Sequence, residues 1–415
     1  RWRRGGISRV PSARPNRLYE IAESGAEVPA VDADAPPAGP LFVDVSERVG
    51  HRHHEEAFDD FHQQPLLPFK LSQLGPGVSW FDVDCDGWDD LIVGSGRGGT
   101  IGVFRNDGRG GFTPWREGPF TETEARDQTA ILGWQPGAGR VLLLAGSANY
   151  EDGQTNGPVV RQYDLAAKTV DDRLPGQASS IGPLALADVD GDADLDLFVG
   201  GRVVSGRCPE PASSVLLMND GGRLHVDAEA SRAWAAVGLV SDALFSDLDG
   251  DGWPELVLAC SWGPVRLWHN ERGRFTPWNP PLLWSAGMQP TTPLSTLSEM
   301  TGWWNSVATG DFDGDGRLDL VAGNWGRNTR YQAHRASPLH TYAADLNDDG
   351  FIELIEAYED PGLGKIVPFR DWGTLCGPLP FIRQRYDSYT AFSTAGVREI
   401  LGERWSLARD FPIVS

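Results

Sequence analysis

Five nine-residue segments carry oxygen-bearing side chains at their first, third, fifth and ninth positions, a spacing that can wrap a hard cation. They are DVDCDGWDD (Asp82, Asp84, Asp86, Asp90), DVDGDADLD (Asp188, Asp190, Asp192, Asp196), DLDGDGWPE (Asp247, Asp249, Asp251, Glu255), DFDGDGRLD (Asp311, Asp313, Asp315, Asp319) and DLNDDGFIE (Asp345, Asn347, Asp349, Glu353). Only Asn347 replaces a carboxylate, and its amide oxygen can still coordinate. Ca²⁺ takes roughly six to eight oxygens, which alternate side chains on a tight loop can supply together with one backbone carbonyl. The seventh position holds Trp88, Asp194, Trp253, Arg317 or Phe351, a set with no common side-chain chemistry, which suits a residue lending only its main chain. Glycine at the sixth position (Gly87, Gly252, Gly316, Gly350) permits a left-handed turn, and Ala193 departs from that pattern.

The EF-hand shares the D-x-D-x-D-G opening but needs a bidentate Glu at the twelfth position and a following helix. Here the twelfth residues are Val93, Val199, Leu258, Ala322 and Glu356, so four of the five loops lack that ligand. Short aliphatic and β-branched runs such as LIVGS, LVLAC and LVAGN follow the ninth position and read as buried strands.

The elements that must position these loops repeat along the chain. Successive loops start 106, 59, 64 and 34 residues apart. The long first gap holds a copy without carboxylates, QTAILGWQPGAGRVLLLAGSANY, making six units. Each has a strand, the loop, a near-continuous apolar strand and a third strand with its turn, as in VFRNDGRGGFTPW and LWHNERGRFTPW, where FTPW recurs. Central strands apolar on both sides must be covered by neighbouring sheets, which predicts an all-β fold: a β-propeller of four-stranded antiparallel blades.

The loops followed by LIVG, LFVGG or LVAGN resemble FG-GAP (VCBS) repeats, as in integrin α-subunit propellers. FDDFHQQPLLPFKLSQLGPGVSWFDVDCDGWDDLIVG, TGDFDGDGRLDLVAGNWGRNTRY and LIEAYEDPGLGKIVPFRD are similar to the bacterial cartilage acidic protein-like family, which joins such repeats to an ASPIC/UnbV module. The opening RWRRGGISRVPSARPNRLYEI resembles the end of that module. The resemblance implies a module tail over 1–25, a linker over 26–40, a propeller over 41–380, usually seven-bladed in this family, and a helical segment over 381–415 leading to a further blade or domain. Tyr389, Phe392, Val397, Ile400 and Leu401 have helical spacing within that last stretch.

A net charge of −22 disfavours nucleic acid, and much of the acidity is potential ligand inventory. No apolar run reaches the ~18 residues of a membrane span. Four cysteines do not make a disulfide framework. Calcium loops of extracellular modules fill at ~10⁻⁴ to 10⁻³ M, so Ca²⁺ as cofactor predicts a secreted or surface location.

In an antiparallel meander the loops share one face and the remaining connections share the other. That second face collects Tyr150, Trp262, Trp325, Arg327 and Asn328, with Arg97, Asn149 and Arg202 nearby. Aromatic platforms beside Arg and Asn suit sugar rings or extended peptides, so a protein or carbohydrate partner is expected there and the chain reads as a binding or adhesion scaffold. The competing reading has Trp262 and Trp325 packed between sheets. No G-x-S-x-G, Cys/His elbow or phosphate loop is present. The alternative function is a propeller-type polysaccharide lyase, with His334, Tyr331 and Arg330 as its candidates. HRHHEEAFDDFHQQ, from His51 to Gln64, concentrates four histidines without H-E-x-x-H or a nearby cysteine and reads as a structural loop.

Overall fold

The computed structural model describes residues 8–9, 21–22, 42–137, 140–174, 176–284 and 294–414. Apart from 8–9 and 21–22, the ASPIC/UnbV-like stretch and the linker lie outside the described residues.

Apolar strands joined by acidic or glycine-rich turns pair with their sequence neighbours into antiparallel sheets. The first contains β1 (Val78–Phe81), β2 (Asp90–Val93), β3 (Gly102–Asn106) and β4 (Phe112–Pro114), in that order. The carboxylate-free unit makes the second, from β5 (Gln128–Gly137), β6 (Arg140–Ser147), β7 (Val160–Asp164) and β8 (Thr169–Leu174). The third holds β9 (Ser179–Ala187), β10 (Asp196–Val204), β11 (Val215–Asp220) and β12 (Arg223–Asp227). The fourth holds β13 (Leu239–Ser246), β14 (Glu255–Gly263), β15 (Arg266–Glu271) and β16 (Arg274–Trp278). Among the described residues the fifth unit supplies β17 (Gly302–Gly310) and β18 (Asp319–Asn324), and β17 pairs with the end of β14 through Ser261 and Gly263. The sixth sheet runs β22-β19-β20-β21, from β19 (His340–Ala344), β20 (Glu353–Asp360), β21 (Lys365–Pro368) and β22 (Arg409–Asp410).

The second strand of each unit is apolar at consecutive positions because both of its faces are covered. On β6, Leu143 packs toward the first sheet with Ile92 and Val103, while Leu142 and Leu144 pack toward the third with Leu197 and Val199. On β10, Phe198 faces the other way, into a cluster with Leu256 and Leu258 of β14. On β14, Val257 and Ala259 in turn meet Trp304 and Val307 of the fifth unit. The first five sheets therefore stack face to face in chain order, and a cavity of about 480 Å³ runs past their first strands, at Val78, Ala130, Pro183, Asp242 and Asn305. Full burial of each Leu, Val or Phe contributes about 1.5–3 kcal/mol, so these contacts dominate the stabilisation.

The sixth sheet sits differently. Ile352 N donates to Gly206 O at 3.0 Å, and Phe351 fills the space that a Cβ on Gly206 would need. Gly206 lies in the β10–β11 connection, at the opposite end of the third sheet from the Asp188–Asp196 loop. The fifth acidic loop thus leaves the face that the other four share. A loop presented in sequence looks the same wherever its sheet docks, which is why the expectation of one common face does not extend to it.

The helical stretch expected near the C-terminus forms Tyr389–Phe392 and Val397–Leu401. Phe392, Val397, Ile400 and Leu401 bury against Leu346 and Ile355 of the sixth unit, while Tyr389 stays exposed. The chain then returns to the sixth sheet, where Arg409 and Asp410 pair with Ala343 and Tyr342.

The segment around residues 58–74 crosses the end of the stack opposite the first four loops. Asp60 ties it down by accepting from Leu71 N (2.7 Å), Ser72 N (2.8 Å) and Ser72 Oγ (2.6 Å). Gln64 donates to Cys208 O and Ile352 O, and Leu67 and Leu71 bury among Val203, Trp262 and Trp303. All four cysteines are free.

Candidate metal centres and binding groove

The acidic loops share one internal wiring. The sixth-position N–H donates to the first carboxylate in every copy: Gly87 to Asp82 (2.9 Å), Ala193 to Asp188 (3.0 Å), Gly252 to Asp247 (3.0 Å), Gly316 to Asp311 (3.0 Å) and Gly350 to Asp345 (2.9 Å). The seventh-position N–H donates to the fifth carboxylate, as Trp253 does to Asp251 at 2.8 Å. The second-position N–H donates to the ninth carboxylate, from Val83 to Asp90 at 2.9 Å through to Leu346 to Glu353 at 2.7 Å. Backbone donors thus aim several carboxylates toward one point on each loop.

The side chains gather accordingly. Asp82, Asp84 and Asp86 bring oxygens within 4.8 Å of one another, as do Asp188, Asp190 and Asp196, and Asp247, Asp249 and Asp251. Oxygens on opposite sides of one Ca²⁺ stand about 4.6–5.2 Å apart, twice the metal–oxygen distance, so the donor sets fit that ion. In the third loop His269 Nδ1 lies 3.3 Å from Asp249 and 3.2 Å from Glu255, a neighbour that sequence spacing does not reveal.

The ninth carboxylates are buried at Asp90, Asp196, Glu255 and Glu353. Burial raises the Asp90 carboxyl, pushes Asp196 up to about 6 and pushes Glu353 up to about 7. Adjacent loop carboxylates act in the same direction. Such groups are costly to ionise without a cation beside them.

The left-handed turn occurs at the sixth position of every loop and at a second position as well. Gly87, Gly252, Gly316 and Gly350 have φ between +84° and +93°, and Ala193 adopts the same turn at +74°. The fourth position is left-handed as well, at Cys85 (+60°), Gly191 (+84°), Gly250 (+79°), Gly314 (+79°) and Asp348 (+64°). Two of those five residues are not glycine, and that variety hides the requirement in the sequence.

At the opposite end of the stack the residues expected to bind a ligand separate into two groups. Tyr150 and Trp262 are 2% and 7% exposed, covered by Phe58 and Phe69. Trp325 is 43% exposed and meets Phe69 edge-on at 5.1 Å. It lines a groove of about 630 Å³ with Pro68, Phe69, Trp303, Asn328 and Tyr331, and Arg327 is exposed nearby in sequence. Phe69 reaches this groove from a segment far away in the chain, which is why sequence reasoning missed it.

Among the lyase candidates, Tyr331 donates its hydroxyl to Glu356, and Arg330 pairs with the same carboxylate at 3.0 Å. Burial and the Glu356 charge raise the Tyr331 phenol, which opposes its use as a base. Arg330 also lies 4.7 Å over the Tyr331 ring, leaving a cationic and aromatic wall to the groove. Of the histidine-rich segment, His51 packs edge-on against Phe104, His53 pairs with Glu55, and Asp60–Gln63 is a helical turn.

Among the described residues, no helix is long and apolar enough to cross a membrane. No curated protein sequence matches the chain. Among solved structures, the V. cholerae biofilm matrix protein Bap1 is 16% identical over 68% of this chain, with a TM-score of 0.32, and the chain spans 37% of its length. An Agrocybe aegerita lectin that recognises non-reducing terminal N-acetylglucosamine is 16% identical over 70% of this chain and 64% of its own, with a TM-score of 0.30. BBS1N, solved in complex with ARL6DN, is 12% identical over 60% of this chain and 75% of its own, with a TM-score of 0.29. Residues 247–322, from the start of the third acidic loop into β18, match the FG-GAP-like repeat.

Proposed function

We propose that this chain is a calcium-stabilised binding scaffold of the propeller type, working outside the cell and holding a protein or carbohydrate partner. The observation that carries the calcium reading is the shared wiring of the acidic loops, in which main-chain donors hold the carboxylates convergent despite their mutual repulsion. A cation offsets that repulsion. Loops of this kind fill at ~10⁻⁴ to 10⁻³ M Ca²⁺, a concentration found outside the cytoplasm. Face-to-face stacking of consecutive sheets around a shared cavity supports radial blades, and closure of the ring would need a further blade between the fifth and first sheets. The exposed apolar side chains at those two edges, Val321 of β18 with Leu318 just before it, and Val78 and Trp80 of β1, are the surfaces such a blade would cover.

The Trp325 groove is the partner site in this reading, because it combines an exposed indole with Asn328 and the Arg330–Tyr331 wall. A stacked sugar or an extended peptide with a polar edge suits it. A glycan and peptide array probed with the full chain and with Trp325→Ala tests this. Binding weakened about 5–30-fold by the substitution supports the groove, since one lost aromatic contact is worth about 1–2 kcal/mol. Unchanged binding of the same ligand rejects it.

A further inference from the structure

A second kind of acidic cluster lies at the end of the stack opposite the first four loops, assembled from residues far apart in sequence. Glu55 comes from the histidine-rich segment, Asp127 from the residue before β5, and Glu151 from the connection between β6 and β7. One oxygen from each lies within 4.8 Å of the others.

The decisive group is Glu151. Its side chain is 7% exposed, and among the described residues neither carboxylate oxygen accepts a hydrogen bond. Oε2 stands 3.2 Å from Arg97 Nη1, and Oε1 meets no donor among the described residues. Asp127 is also buried, with Oδ1 accepting from Arg97 N at 2.7 Å. The same Arg97 contacts Glu56 at 3.0 Å, so its guanidinium is shared between Glu56 and Glu151, while Asp127 meets only its backbone N–H. Arg126, adjacent to Asp127, is committed to Asp152 at 2.7 Å. His53 Nε2 sits 3.0 Å from Glu55 Oε2 and brings full positive charge only when protonated. Burial, then the Asp127 charge, raises the Glu151 carboxyl to about 7.

The backbone around the cluster is shaped to admit these side chains. A Cβ on Gly96 would stand 2.6 Å from Glu55 Oε2, and one on Gly98 2.6 Å from Glu56 Oε1. Glu55 and Glu56 therefore lie against a glycine-lined loop, with Glu56 half open to solvent. A buried carboxylate oxygen without a donor is costly, and a cation beside it offsets that cost.

We infer that Glu55, Asp127 and Glu151 form a further divalent-cation site, separate from the five acidic loops, that fastens the histidine-rich segment to the first two sheets. The all-oxygen donor set and its span fit a hard ion of calcium size. Mn²⁺ is the matching crystallographic probe, being a hard ion that accepts carboxylate ligands.

Two measurements on the full chain test this. Equilibrium dialysis with radioactive calcium counts ions per chain for the unsubstituted protein, Glu151→Gln and Asp127→Asn, with circular dichroism verifying the fold of each. The site predicts one ion fewer in either variant; an unchanged count in folded variants overturns it. Anomalous scattering from Mn²⁺-soaked crystals of the unsubstituted chain decides the matter if the variants fail to fold. A peak among the three carboxylates supports the site, and peaks confined to the acidic loops, or none at all, reject it. A Mn²⁺ peak among the three carboxylates with none in the loops would support this site while overturning the calcium reading of the loops.

Discussion

Asn219 donates its backbone N–H to Asp196 Oδ1 at 2.9 Å, while its side-chain amide donates to Leu195 O at 3.1 Å, so the third strand of the unit locks the ninth position of the acidic loop from outside. Asn106 does the same to Asp90 (2.7 Å) and to Asp89 O (2.9 Å) in the first sheet. In the fourth, Asn270 N approaches Glu255 Oε1, and its amide reaches across to Val189 O in the preceding loop. The asparagine of each turn thus couples a hairpin to a candidate metal site, linking strand pairing to carboxylate position. Asn219→Ala and Asn270→Ala each remove one side-chain donor at a buried site and should destabilise the protein by about 1–2 kcal/mol. Chemical denaturation in excess Ca²⁺ measures this, and the calcium midpoint should shift to higher concentration in both variants.

The left-handed residues make a prediction of opposite sign. Ala193 and Cys85 hold φ values of +74° and +60° that L-residues adopt at a cost of about 1 kcal/mol. Ala193→Gly and Cys85→Gly should therefore stabilise, by about 0.5–1 kcal/mol each, against the usual loss on introducing glycine. A rise in the guanidinium midpoint at unchanged slope checks this.

Asp60 shows the reverse dependence on a buried charge. Its carboxylate is fully buried and satisfies Leu71 N, Ser72 N and Ser72 Oγ, so Asp60→Ala strands two backbone donors beneath the segment that carries Leu67 and Phe69. The expected loss is about 3 kcal/mol or more. Hydrogen exchange should show it as lost protection at Leu71 and Ser72.

In calcium-free solution the pH dependence follows from the ninth carboxylates. Asp196 at about 6 and Glu353 at about 7 lie above their ordinary values of roughly 4, so the folded state binds protons more tightly than the unfolded chain. Their stabilising contribution is fully present below pH ~4 and is lost as pH rises through about 7. In EGTA, urea midpoints across pH 5–8 should therefore show these two groups favouring the acidic end. Asp196→Asn should flatten that dependence.

Much of the architecture is legible in the sequence because repetition carries it. The carboxylate-free unit at 128–164 keeps its strand pattern and forms β5 and β6, and the aliphatic runs after each loop become strands covered on both faces. The first three sheets have the expected four strands, the fourth is joined by β17 and β18 into six, and the sixth gains its fourth from Arg409–Asp410 beyond the helices. Less legible are features that depend on docking. Phe351 on Gly206, Phe69 on Trp325, and Glu55 near Asp127 and Glu151 join residues with no common periodicity. The fourth-position turn escaped for another reason: cysteine and aspartate occupy it beside three glycines, so residue type alone masks the shared backbone.

The central claim is that cations hold the acidic loops, and its most direct measurement is the melting temperature of the full chain in EGTA and in millimolar Ca²⁺. Five independent sites at ~10 times their dissociation constant would contribute about 7 kcal/mol, a large fraction of the ~5–15 kcal/mol that stabilises a domain. The account predicts a rise of about nine degrees on adding Ca²⁺, reversed by the chelator and absent with Na⁺ at equal ionic strength. An identical melting temperature in both conditions would contradict it.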